Sequence, residues 1–167
     1  PGEGTWTVNS GTGTFSDAND PNSAVADLSV GSNVFQWTVG NGTCNFPTFE
    51  TVEIVLFDDN QTPADAGPDM SFCTPISTYT MQASSPDAPS VGEWSIISSL
   101  ATIDAINDPN ANLAGLGIGE NIFRWTYVNG PCPGNDNFDD VSIFIYDENA
   151  PVADAGPDQE FCSDPAI

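Results

Sequence analysis

One stretch of this chain is written twice. Ala64-Asp65-Ala66-Gly67-Pro68-Asp69, followed by Phe72-Cys73, returns as Ala153-Asp154-Ala155-Gly156-Pro157-Asp158, followed by Phe161-Cys162, 89 residues later. The same offset, give or take one, aligns what lies between. Trp6 matches Trp94, Asp20-Pro21-Asn22 matches Asp108-Pro109-Asn110, and Val34-Phe35-Gln36-Trp37-Thr38 matches Ile122-Phe123-Arg124-Trp125-Thr126. Asn41-Gly42-Thr43-Cys44 matches Asn129-Gly130-Pro131-Cys132, and both copies reach an apolar run, Val52 to Phe57 and Val141 to Tyr146. Solenoid coils recur every 20–50 residues or so. A period this long instead implies one whole domain per copy, arranged in tandem.

The recurring stretch follows an apolar run and an acidic link, so it opens a domain. Residues 1–60 then read as the C-terminal part of one repeat, 61–149 as a complete repeat, and 150–167 as the start of a third. A domain lacking its first strands leaves a sheet edge and part of its core uncovered. The expectation is therefore a window on a longer polypeptide.

The apolar stretches are short, rich in Val, Ile, Thr, Phe and Trp, and separated by turn-forming residues; Gly and Pro supply 15 and 14 of the 167 residues. This composition suits an all-β sandwich, and about 90 residues suffice for one two-layer core. In the complete repeat, strand signals fall at 64–73, 77–83, 92–97, 102–106, 113–118, 121–128 and 141–146. Asn121 to Val128 alternates, with Phe123, Trp125 and Tyr127 on one face and Ile122, Arg124 and Thr126 on the other. Seven strands in a period of about 89 residues predict tandem immunoglobulin-like sandwiches. Trp6, Trp37, Trp94 and Trp125 each recur at a repeat position, which assigns them to sandwich cores rather than to a sugar-stacking surface.

Charge narrows the partners. There are 24 acidic residues against one basic residue, Arg124, and no His, a formal net charge of −23. Phosphate-bearing surfaces would be repelled, which argues against nucleic acid and anionic membrane. No stretch is long and apolar enough for a membrane span. Without Lys or His, no Ser-His or Lys-based nucleophile assembles, and the carboxylates sit in turns and links rather than around a cleft, so no catalytic residues are assigned. Two acidic links invite a different reading. Asp58, Asp59, Asn60, Asp65 and Asp69 gather around one junction, and Asp147, Glu148, Asn149, Asp154 and Asp158 around the next. Oxygen ligands placed there are candidates for calcium, although no dedicated calcium-loop spacing is present; turn formation and solubility explain the same residues.

Each copy contributes two cysteines, one near the end of its first strand and one in the loop before its last. Cys73 and Cys132 are the complete within-repeat pair, which leaves Cys44 and Cys162 with partners outside the chain. The objection is distance: those positions lie at opposite poles of a sandwich, whereas a disulfide needs Cα atoms within about 7 Å. A long loop, Asn129 to Asp140, would have to fold down the edge. The rival pairing joins the first-strand cysteine of one repeat to the loop cysteine of the next.

The run Pro151-Val152-Ala153-Asp154-Ala155-Gly156-Pro157-Asp158-Gln159 with Cys162 resembles the opening of polycystic-kidney-disease-like (PKD-like) and immunoglobulin-like repeats of giant bacterial surface proteins. The Gly-x-Trp, Asp-Pro-Asn, Phe-x-Trp-Thr and Asn-Gly-x-Cys motifs fit the same class. The whole chain is similar above all to tandem repeats of Bacteroidota cell-surface adhesins, of the gliding-adhesin or grappling-appendage type, exported by the type IX system. The resemblance implies export across the outer membrane, a cell-surface location, and a shaft role in an adhesin or filament attaching to surfaces or other cells, with no cofactor required. Bundling of such shafts into homo-oligomers is a further expectation. The alternative is a carbohydrate-binding module array of a secreted polysaccharide-degrading protein.

Overall fold

The computed structural model describes residues 2–42, 44–132, 137–149 and 151–160, and for Cys44 and Asn45 the backbone only. It is an all-β structure of twelve strands, with no helix among the described residues. The first copy contributes β1 (Glu3–Ser10), β2 (Thr14–Phe15), β3 (Val25–Ala26), β4 (Gly31–Asn41) and β5 (Cys44–Leu56). The second contributes β6 (Met70–Phe72), β7 (Thr78–Thr80), β8 (Val91–Ser98), β9 (Thr102–Ile103), β10 (Asn112–Ala114), β11 (Gly119–Val128) and β12 (Asn137–Ile145).

The second copy is a seven-stranded sandwich of immunoglobulin-like type. One sheet has the order β6-β12-β11-β8 and the other β7-β10-β9. β12 lies between β6 and β11, parallel to the first and antiparallel to the second, which explains why its apolar residues occupy both faces. Inward positions alternate along the strands: Phe123, Trp125 and Tyr127 from β11 and Val141, Ile143 and Ile145 from β12 are buried together with Trp94, Met81 and Leu113. The predicted first strand, 64–73, pairs only over Met70–Phe72. Upstream, Gly67 takes a positive φ of 88° and the Asp65 carboxylate accepts the Gly67 N–H at 2.8 Å, so the stretch is a turn laid against the sheet.

The first copy repeats the arrangement strand for strand where it has residues to do so. β1-β4-β5 matches β8-β11-β12 and β2-β3 matches β9-β10. Trp6 stands opposite Trp37 as Trp94 stands opposite Trp125. Among the described residues, the first copy has no strands matching β6 and β7.

Cys73 and Cys132 are free thiols, and the within-repeat bond between them is not formed. Cys73 follows Phe72, the partner of Ile145 at the far end of β12. Cys132 lies beyond Val128, next to the start of β12. The nine-residue β12 separates them by about 27–30 Å, and the loop does not bring them together. The side chain of Cys44 and the whole of Cys162 lie outside the described residues.

Candidate functional site

Three sites organise the molecule, and the first two recur in both copies. The first is the tryptophan pair. In the second copy the rings of Trp94 and Trp125 lie 4.9 Å apart, and in the first those of Trp6 and Trp37 lie 5.0 Å apart. The indole N–H of Trp94 donates to the Asp108 carbonyl at 3.0 Å and that of Trp6 to the Asp20 carbonyl at 3.1 Å, tying each Asp-Pro-Asn turn back onto its sheet. Those turns close locally, Asp108 Oδ1 accepting from the Asn110 N–H and Asp20 Oδ1 from the Asn22 N–H, each at 2.8 Å. Gly92 and Gly4 allow the second tryptophan to lie flat on the neighbouring strand. A Cβ at either position would come 2.0 Å from the ring of Trp125 or Trp37.

What differs is the cover. Trp125 donates to the Ser84 carbonyl at 2.9 Å, and Tyr127 meets the Ser84 hydroxyl. Ala66 and Met81 are both buried in the same core. No counterparts of these covering residues are present in the first copy, so Trp6 and Trp37, expected in a core, are only half-buried. A groove remains over Trp37, Val39, Phe49 and Glu50 and continues past Trp6, Pro21 and Val52. Its tryptophans follow the repeat template rather than departing from it, which is how an uncovered core face looks.

The second site is a buried asparagine that the motif alignment places but does not explain. Asn121 donates to the carbonyls of Gly117 (2.9 Å), Gly119 (3.2 Å) and Ile143 (3.2 Å) and accepts from the Ser99 hydroxyl at 2.7 Å. Asn33 does the same in the first copy, donating to Ser29, Gly31 and Ile54 carbonyls and accepting from the Thr12 N–H. An amide with two donors and an acceptor satisfies a tight bend that backbone pairing alone leaves open. The signal was the recurrence of Asn within Gly-Ser-Asn and Gly-Glu-Asn.

The third site is the junction. Asn129, fully buried, donates to the Asp58 carbonyl at 2.7 Å and accepts from the Ser90 hydroxyl at 2.9 Å and the Gln61 amide at 3.2 Å. Gln61 also meets Ser90 directly. Gly130 has a φ of 57°, and a Cβ there would strike the Phe57 ring at 2.4 Å. Asn137 Oδ1 accepts the Ala64 N–H at 2.6 Å, and the Asn137 amide donates to the Thr62 carbonyl. The link is thus held by side chains from the pole of the second copy.

The acidic residues of the links do not converge. Among the described residues, no three His, Cys, Asp or Glu side chains are grouped as metal ligands. Asp58 and Asp59 bond to Asn60 and Asp65 to Gly67, while Asp69 reaches across to the Ser142 N–H on β12. Asp147 bonds to Asn149, and Asp154 to Gly156. No hydrogen bond is made by Glu148 or Asp158 among the described residues. The candidate calcium sites are therefore not assembled as clusters. Arg124 makes a two-pronged pair with Asp140, Nε to Oδ1 at 2.7 Å and an Nη to Oδ2 at 2.9 Å, above the Phe138 ring. This hydrogen-bonded guanidinium holds the Asp140 carboxyl below its usual range.

No protein-family description matches the chain, and no curated protein matches it. Among solved structures, the chain is similar to the PKD domain from KIAA 1837 protein, at 21% identity and a TM-score of 0.43 over 55% of this chain and 92% of that one. It is also similar to mouse cadherin-23 EC22-24, at 12% identity and a TM-score of 0.36 over 86% of this chain and 53% of that one. A third is the D0-D1 domain of intimin, at 14% identity and a TM-score of 0.30 over 85% and 80%.

Proposed function

We propose that this chain is a load-bearing shaft segment of a long, exported cell-surface adhesin or filamentous appendage, without enzymatic activity. The observation that carries the reading is the junction. A flexible tether would leave the link solvated, whereas here Asn129 and Asn137 bond its backbone and Phe57 packs on Gly130. Tandem sandwiches locked pole to pole transmit force along their strands and resist bending. The strongly acidic surface keeps such shafts soluble and apart from anionic partners. Attachment to other cells or surfaces through other parts of a longer protein, and export of the kind used by Bacteroidota surface adhesins, rest on the resemblance of the repeat motifs.

The two free cysteines fit this reading. Cys132 sits at the pole that meets the preceding repeat, and Cys73 at the pole that would meet a following one. Pairing the first-strand cysteine of each repeat with the loop cysteine of the next would clamp every junction, with Cys44 and Cys162 following the same rule.

Small-angle X-ray scattering of the chain tests the reading. The expected result is a stiff, extended particle whose profile is unchanged by chelator and becomes flexible when Phe57→Ala and Asn129→Ala are combined. Free swivelling of the wild type, indistinguishable from the double variant, would overturn it.

A further inference from the structure

We infer that Asn129-Gly130 is a latent self-modification site, kept silent by the closed junction and released when the junction opens. The chemistry belongs to the dipeptide. Attack of the Gly130 nitrogen on Cγ of Asn129 forms a cyclic imide and breaks the bond from Cγ to Nδ2. The side-chain nitrogen leaves as ammonia, taking up the Gly130 amide proton. Water then opens the imide at either carbonyl and leaves aspartate, or its β-linked isomer, at position 129. Glycine at 130 favours the first step, because no Cβ screens its nitrogen from the approaching carbon.

The closed junction holds the amide at both ends. Nδ2 donates to the Asp58 carbonyl at 2.7 Å, and Oδ1 accepts from the Ser90 hydroxyl at 2.9 Å and the Gln61 amide at 3.2 Å. Asn129 is 0% exposed, and its own carbonyl accepts the Cys132 N–H at 3.3 Å, which fixes the turn that carries Gly130. The Phe57 ring bears on the same turn, 2.4 Å from where a Cβ of residue 130 would stand. Swinging Cγ onto the Gly130 nitrogen breaks three side-chain hydrogen bonds and strips their buried partners. The reaction therefore runs from an opened junction, and the population of that state sets its rate.

Conversion also keeps the junction from closing again. An aspartate at 129 puts an oxygen where an N–H faced the Asp58 carbonyl. It also places a charge at a buried position whose partners, Asp58 carbonyl, Ser90 and Gln61, include no cation. The β-linked isomer lengthens the main chain of the turn. Either product turns a transient opening into a lasting one.

This inference uses the same junction contacts as the shaft reading, but it concerns a covalent change rather than stiffness. Peptide mapping by mass spectrometry tests it on the 167-residue chain aged at mildly alkaline pH, reading amide-to-acid conversion at each Asn-Gly pair. Asn41-Gly42, the aligned pair, is exposed and gives a reference rate in the same sample. In the folded wild type, Asn129 should convert roughly tenfold or more slowly than Asn41, and in concentrated urea the two rates should become equal. Phe57→Ala and Gln61→Ala loosen the junction from two sides. Each should raise the Asn129 rate several-fold, with a folded far-UV spectrum retained and the Asn41 rate unchanged. Equal rates at Asn129 and Asn41 in a wild type that scattering shows to be stiff would overturn this proposal and leave the shaft reading standing. Folded junction variants that convert Asn129 no faster than the wild type would overturn it as well.

Discussion

The two copies use the same tryptophan pair, the same glycine beneath it and the same Asp-Pro-Asn turn, yet one encloses a core and the other exposes half of it. Val141 is 2% exposed and its counterpart Val52 is 45% exposed; Ile145 is 0% exposed and its counterpart Leu56 is 38% exposed. Farther from the groove the copies agree: Phe123 and Phe35 are both sealed, as are Asn121 and Asn33. The sheet pairing and the buried asparagine therefore form without the opening segment. What that segment adds is a lid over the second tryptophan and the inner face of the last strand.

Substitution at the second tryptophan separates the copies most. Trp125→Ala removes a fully enclosed ring and should cost about 3–5 kcal/mol. Trp37→Ala, with a face already wet, should cost about 1–2 kcal/mol. Urea unfolding followed by copy-specific NMR signals checks both, and equal losses would break the comparison. At the asparagine the expectation reverses. Asn121→Ala and Asn33→Ala should each cost about 1–3 kcal/mol, because both leave the same buried backbone groups without partners. The junction comes next: Asn129→Ala should lower stability by about 1 kcal/mol, while Asn41→Ala, whose side chain is exposed, should leave the melting temperature unchanged.

The smallest effect is electrostatic. Asp140 is held below its ordinary range chiefly by its hydrogen bond from Arg124. A carboxyl whose folded pKa lies below its unfolded one contributes stability that is present above the unfolded pKa and fades as pH falls through the folded value. The first copy places Gln36 opposite Thr51 at this position and has no such contribution. Arg124→Gln should therefore flatten a slight acid sensitivity of the second copy below the usual Asp range, with little change at neutral pH, since the pair is partly solvated. Thermal melts between pH 2 and pH 7 would show it.

Much of this architecture was legible in the residues. The 89-residue recurrence marked the units, and alternation along Phe123, Trp125 and Tyr127 marked the inward face, because a strand's period of two is written in side chains. Asn129 and Asn121 stood in aligned motifs, but their work is done on backbone carbonyls distant in sequence, which no local pattern records. The disulfide between Cys73 and Cys132 failed for the opposite reason. The residues left it open against the rival pairing across the link, and in the structure the length of β12 keeps the two thiols at opposite poles. In the acidic links, where ligands and turn residues read alike along the chain, Asp58, Asp59, Asp65, Asp147 and Asp154 bond to a neighbouring backbone N–H or amide, and Asp69 to the distant Ser142 N–H.

Hydrogen exchange at the four indole N–H groups, followed by ¹⁵N NMR in dilute solution, tests most directly whether the copies share a fold and differ only in cover. Trp94 and Trp125 should exchange slowest, since both are buried and bonded to the Asp108 and Ser84 carbonyls. Trp6, bonded to the Asp20 carbonyl but half-exposed, should be intermediate, and Trp37 fastest. Protection of Trp37 equal to that of Trp125 in the monomer would contradict the account.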